Sequence, residues 1–150
     1  MKLILASRNA HKVAEVQKML RPYGYEVDSL LSYPELEDIP ETGDTFEENA
    51  LIKARFAFKT LGYATIADDS GICIDALNGA PGVYSKRFSE QGTDDANNAL
   101  LLEKLTGERK RTARYACALA IVCANGEQTL LEHCEGTIGT EYVGTGGFGY

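Results

Sequence analysis

Two adjacent carboxylates follow an apolar run in Ile66-Ala67-Asp68-Asp69-Ser70-Gly71. Acids at the end of a buried strand must meet water, a cation or a metal, because leaving them buried and unpaired costs several kcal/mol. The same run also reads as a plain turn. Neighbours on an extended strand point to opposite faces, so both acids can serve one site only if the chain turns there, which Gly71 permits. Hard divalent cations take oxygen ligands, and Mg²⁺ uses one or two carboxylates with waters and substrate phosphates. Glu41 with Asp68 or Asp69 would suffice. A carboxylate so placed can also take a proton from water while the metal neutralises phosphate charge.

Three further clusters could complete such chemistry. Ser7-Arg8-Asn9-Ala10-His11-Lys12 lies where a short strand gives way to a helix, and free backbone N–H groups with the positive end of a helix dipole favour a phosphate there. Lys12 would add a point charge. The run reads equally as a capped helix with solvated basic residues, and His11, with no partner histidine nearby, reads as a surface residue. Glu41-Thr42-Gly43 leads into a helix on which Asn49 and Lys53 are one turn apart, so both can point at a ligand or form a solvated polar face. Gly79 to Phe88 is a tight Gly-Pro loop that delivers Tyr84, Ser85, Lys86 and Arg87 together; Arg87 either meets a ligand or pairs with a surface acid.

The elements that must position these groups alternate along the chain. Leu3–Ala6 reads as a buried strand, and Asn9 caps a helix with Val13, Val16 and Leu20 at helical spacing, closed by Pro22 and Gly24. Tyr25–Leu31 reads as a second strand and Tyr33–Gly43 as an acidic surface loop. Thr45-Phe46-Glu47-Glu48 is a capping box, after which Phe46, Ala50, Ala54, Phe58 and Leu61 mark a buried stripe ending at Gly62. Ile72–Leu77 is expected as another strand turning at Asn78-Gly79, and Thr93 caps a helix that runs to about Leu105. Thr112–Ala124 and Gln128–Ile138 form a hairpin about Asn125-Gly126. The sheet is therefore mixed.

At 150 residues, 44% hydrophobic and 25% charged, the chain is long enough for a single globular domain with a core. No stretch approaches the roughly 18 apolar residues of a membrane span, and no signal peptide is seen, so a cytoplasmic location is expected. A net charge of −7 argues against a general nucleic-acid surface. The four cysteines, Cys73, Cys117, Cys123 and Cys134, form no CxxC pair and read as small buried hydrophobes.

Taken in order, Ser7–Lys12, Glu41-Thr42-Gly43 with Thr45-Phe46 and Glu48-Asn49-Ala50, Lys53-Ala54, Ile66–Gly71, Asp75-Ala76-Leu77, Gly79–Ser85 and Gly144–Tyr150 resemble the inosine triphosphate pyrophosphatase family, the Ham1-like proteins. The resemblance implies an α/β fold, a mixed and mostly extended central sheet flanked by helices, with two lobes and the active site in the cleft between them. It implies hydrolysis of inosine, deoxyinosine or xanthosine triphosphate to the monophosphate and pyrophosphate, with Mg²⁺ or Mn²⁺, by a homodimer that cleans the nucleotide pool. On that resemblance Ser7, Arg8, Asn9, Ala10, His11 and Lys12 would cradle the triphosphate and Lys53 would neutralise its charge. Glu41 and Asp69, with Asp68 close by, would hold the metal, and Asp69 would be the general base. Ser70, Phe148, Gly149 and Tyr150 would contact the substrate, Phe148 by stacking on the base. Maf-like pyrophosphatases share a related fold, but the Thr-Phe-x-Glu-Asn-Ala and Asp-Asp-Ser-Gly runs argue against them.

Two departures from the family pattern stand out. Arg8 replaces a small or polar residue beside the phosphates. The phenylalanine-glycine-tyrosine run continues in the family into aspartate-proline, a lysine and a serine-histidine-arginine segment that read the purine. The chain is therefore expected to be one pyrophosphatase domain, 1–150, without its C-terminal segment. It is then either a working pyrophosphatase with weakened base discrimination, or a fragment that binds nucleotide and metal without cleaving.

Overall fold

A computed structural model describes residues 1–150. Five strands form a sheet in the order β2-β1-β3-β4-β5: β1 is Lys2–Leu5, β2 Glu26–Ser29, β3 Thr65–Ile74, β4 Thr112–Cys123 and β5 Gly126–Thr137. Three α-helices, α1 (Ala10–Leu20), α2 (Phe46–Leu61) and α3 (Asp94–Lys104), occupy the connections. β1 runs parallel to both β2 and β3. β4 and β5 are joined by two residues, a connection that only antiparallel neighbours can make. The mixed α/β architecture expected from the sequence is the one observed.

The chain divides into two compact units, Met1–Asp69 with Ala118–Leu131, and Ser70–Cys117 with Glu132–Tyr150. In the first, Leu3, Leu5, Val13, Val27 and Ile66 form a core that Val16, Leu20 and Tyr25 extend. Leu3 and Leu5 belong to the buried first strand, and Val13, Val16 and Leu20 to the α1 helical spacing, read from the sequence. Asn9 caps α1, and α2 begins in a complete capping box between Thr45 and Glu48 and ends at Gly62, whose φ of 75° is the left-handed conformation glycine adopts freely. In the second unit, Ile72, Ile74, Leu101, Leu105 and Ala113 form a core against which Phe88, Ile138 and Tyr150 pack.

The register of β1 against β3 sets the place of the acids. Ile4 lies opposite Thr65 and Leu5 opposite Ile66, and Ala6 N–H still donates to Ile66 at 2.8 Å. Because the strands are parallel, the turn that leaves β1 at Ser7 and the acid pair of β3 emerge side by side.

Several expectations are corrected. β3 does not end at the acids but continues through Asp68, Asp69, Ser70 and Gly71 to Ile74. Each acid meets a cation or an amide within its own unit, so nothing forces the strand to stop. The segment after Ile74 is a 3-10 turn, Asp75–Leu77, that passes through Asn78 at φ 53°, and β2 stops at Ser29, whose hydroxyl caps the 3-10 turn Leu30–Ser32. On α2 the buried positions are Phe46, Asn49, Ala50, Ala54 and Ala57, while Phe58 and Leu61 are only half-buried. Cys117 and Cys134 are exposed and Cys73 and Cys123 half-buried, so none is the buried hydrophobe expected. No helix is long and apolar enough to cross a membrane.

Candidate active site

Asp69 is the buried acid. It is 8% exposed, and its Oδ2 accepts a 3.1 Å hydrogen bond from the side-chain amide of Asn49, which is wholly buried. Lys53, one turn further along α2, lies with Nζ 3.7 Å from Asp69 Oδ1 and 2.7 Å from Glu41 Oε1. The face of α2 that could have been merely solvated therefore closes on the acid: the i, i+4 spacing delivers an amide and an ammonium to the same carboxylate. Burial raises the proton affinity of Asp69 above that of an ordinary aspartate; Lys53 opposes this, the charge of Glu41 adds to it, and Asn49 and Lys12 oppose it. A carboxylate with raised proton affinity suits a general base.

Gly43 shows why glycine follows Glu41-Thr42. Its N–H donates to Asn49 Oδ1 at 2.8 Å, and a Cβ there would lie 2.6 Å from Glu48 Cβ and 2.9 Å from Asn49 Oδ1. The loop that carries Glu41 can approach α2 this closely only without a side chain.

Asp68, the residue before it on β3, pairs instead with Lys12 of α1. Because the strand does not turn, alternation sends the two acids to different partners, and Glu41, Asp68 and Asp69 do not gather into a three-acid cluster. The donors that converge are Glu41 and Asp69, which close on one positive charge, that of Lys53. Two hard oxygen donors around a common cation position fit what Mg²⁺ requires from protein when water and phosphate supply the rest.

At the strand-to-helix turn, Ser7 Oγ accepts from Asn9 N–H at 3.1 Å, and Asn9 Oδ1 accepts from the amides of His11 at 3.0 Å and Lys12 at 3.3 Å. Two of the amides expected to cradle phosphate are thus capped by Asn9. Ala10 and His11 are exposed. Arg8, expected beside the phosphates, is engaged elsewhere: its guanidinium donates to the carbonyls of Leu30, Tyr33 and Leu36.

The remaining expected residues belong to the second unit. Ser70 is half-buried on β3. Gly149 is held at both backbone groups, its N–H donating to Asp94 Oδ2 and its carbonyl accepting from Asn98, each at 2.9 Å. Tyr150 donates its hydroxyl to the Ser85 carbonyl at 2.7 Å; burial, then Tyr115 and Asp94, push its pKa up to about 12. Phe148, 49% exposed, borders a 620 Å³ cavity whose walls include Asp94, Asn98, Leu101, Tyr115 and Ile138, within the usual range for a small-molecule site. Asp94 and Asn98 had no distinguishing signal in the sequence beyond their place after the Thr93 cap. Asn49 had one, its spacing from Lys53.

A strand-turn-helix beside a buried acid, with cations and a second carboxylate around it, is the arrangement of a protein that handles phosphorylated ligands. Residues 3–150 match the family model described as Ham1 family. A dITP/XTP pyrophosphatase of an Exiguobacterium species is 55% identical over 152 residues, covering 100% of this chain and 78% of that protein. One from Desulforamulus reducens is 48% identical, covering 100% and 77%. Among solved structures, a Ham1 protein from Coxiella burnetii superposes with a TM-score of 0.89 at 40% identity, covering 100% of this chain and 79% of that one. The Staphylococcus aureus Ham1 protein gives 0.88 at 35%, with coverage of 100% and 78%. The chain belongs to the Ham1 family.

Proposed function

We propose that this protein hydrolyses non-standard purine nucleoside triphosphates, those of inosine, deoxyinosine and xanthosine, to the monophosphate and pyrophosphate. The names of the Exiguobacterium and Desulforamulus relatives support the substrate class, and the observation that carries the chemistry is Asp69, buried between Asn49, Lys53 and Glu41.

Asp69 takes the proton of a water that attacks in line at phosphorus, and the bond to the bridging oxygen breaks so that pyrophosphate leaves. Asn49 holds the carboxylate in its acceptor orientation. Lys53 offsets charge on the phosphates, and Lys12, in the first turn of α1, adds a second cation that Asp68 orients. Glu41 and Asp69 would hold Mg²⁺, or Mn²⁺ in its place, which would supply charge neutralisation at the phosphates. Ser70 contacts the substrate and Phe148 stacks on the base, presented by the two hydrogen bonds to Gly149. The protein acts in the cytoplasm as a homodimer, as the resemblance to its family implies.

Incubation with deoxyinosine triphosphate and Mg²⁺ tests this reading, with products separated and counted. One monophosphate and one pyrophosphate per substrate are expected. Release of inorganic phosphate, or binding without cleavage at high protein concentration, contradicts it.

A further inference from the structure

The loop from Tyr33 to Gly43 carries Glu41 but contains no fully buried residue, so packing into a core does not hold it. Its far end is pinned to the start of α2 by Gly43 N–H on Asn49 at 2.8 Å and Asp44 N–H on Glu48 at 2.8 Å. Its near end is held by Arg8. Nη1 donates to the Leu30 carbonyl at 2.9 Å, both terminal nitrogens reach the Tyr33 carbonyl at 3.4 Å, Nη2 donates to Leu36, and Nε lies 3.5 Å from Asp38. The two terminal nitrogens of the guanidinium thus make four hydrogen bonds to three carbonyls, and Nε adds an ion-pair contact to Asp38. Tyr33 is fixed from its other end too, its hydroxyl donating to Asp28 at 3.2 Å.

We propose that Arg8 is a positioning residue: standing in the phosphate turn, it clamps the backbone of the 33–43 loop so that Glu41 is delivered to Lys53 and Asp69, and it makes no contact with phosphate. The inference rests on reading Glu41, Lys53 and Asp69 as the reacting centre. Three carbonyls and a carboxylate need the planar fork of arginine; a lysine ammonium is a point charge that cannot span them. Without the clamp the loop regains backbone freedom that folding had removed.

The test compares the full chain with Arg8→Ala and Arg8→Lys, the second of which keeps the stem and charge and serves if the first fails to fold. In both, kcat for deoxyinosine triphosphate is expected to fall about tenfold to a hundredfold while KM moves less than about threefold, the size set by losing several charge-assisted hydrogen bonds. In the metal-free proteins, digestion by a glutamyl endopeptidase should accelerate about tenfold at Glu35, Glu37 and Glu41 and not at sites in α3 or β5. Asp38→Asn, which removes only the charge of an exposed side chain and spares the Arg8 contacts to carbonyls, should leave that digestion within about twofold. Because proteolysis needs no turnover, a chain that does not hydrolyse nucleotide still tests the clamp. A KM raised about tenfold with kcat intact and restored by Arg8→Lys would make Arg8 a phosphate ligand, and unchanged digestion at the three glutamates would likewise overturn the proposal.

Discussion

Asn49 and Asp69 meet at 3.1 Å in the interior of the first unit, an uncharged amide donating to a carboxylate, while the other end of the same amide accepts from Gly43. One side chain therefore fixes both the acid and the loop that brings Glu41. Asn49→Ala leaves the Gly43 N–H and a carboxylate oxygen without their partner and should cost about 2 to 4 kcal/mol in urea unfolding. Asn49→Asp puts a second negative charge against Asp69; the acidic limb of the pH–rate profile should move to higher pH, because Asp69 then holds its proton more tightly.

Lys53 stands between two carboxylates. Lys53→Met removes the charge that separates them, and in metal-free protein at neutral pH unfolding should become easier by about 1 to 3 kcal/mol. The proton affinity of Asp69, already raised by burial, rises further in this variant. A raised carboxylate pKa gives stability that is present at low pH and lost as pH rises through it, so acidification should recover the loss. Added Mg²⁺ should also raise the melting temperature in a concentration-dependent way, as any ligand of the native state does. A melting temperature indifferent to both would contradict the placement of these three groups.

Gly43→Ala tests close approach without touching a charge. The new methyl would meet Glu48 Cβ at 2.6 Å, and the resulting shift of loop or helix should cost about 1 to 3 kcal/mol in denaturant unfolding. It should also lower turnover by displacing Glu41. A neutral result would show that the loop yields freely at this point.

Tyr150 gives a pH signature in the second unit. Its phenol stays neutral to about 12, against an ordinary 10.0, so it binds its proton more tightly folded than unfolded. The stability this provides is complete below pH 10 and is lost as pH rises toward about 12. Tyr150→Phe should flatten that alkaline decline in a pH series of thermal melts, and at neutral pH should cost about 1 kcal/mol through loss of the bond to Ser85.

Much of the fold was legible in the sequence because local chemistry dictated it. The Thr45–Glu48 capping box, the Asn9 cap and the glycine at 62 define helix ends through their own backbone groups, and tertiary context did not override them. The β4–β5 hairpin was equally local, although its two connecting residues are Ala124 and Asn125 and the return strand already begins at Gly126. The features that escaped depended on partners distant in the chain. Asp68-Asp69 reads as a strand terminus because unpaired carboxylates are costly to bury, yet Lys12, 56 residues away in sequence, and Asn49, 20 away, satisfy them within an unbroken strand. The spacing of Asn49 from Lys53 allows a ligand-facing or a solvated position, and only the fold, which buries it against Asp69, decides between them. The resemblance implies a place for Arg8 beside the phosphates, and only the fold reveals the carbonyls its guanidinium reaches. The positions of Asp94 and Asn98 about Gly149 likewise depend on how α3 meets the last residues of the chain, which no spacing encodes.

Asp69→Asn tests the central claim most directly, with pyrophosphate release and thermal unfolding measured on the same preparation. Ionising a buried carboxylate costs stability at neutral pH, so the asparagine variant should melt at or above the temperature of the unsubstituted protein. Its hydrolysis of deoxyinosine triphosphate should fall by at least about a thousandfold. A folded Asp69→Asn protein that still releases pyrophosphate at a comparable rate would show that the reaction has another base.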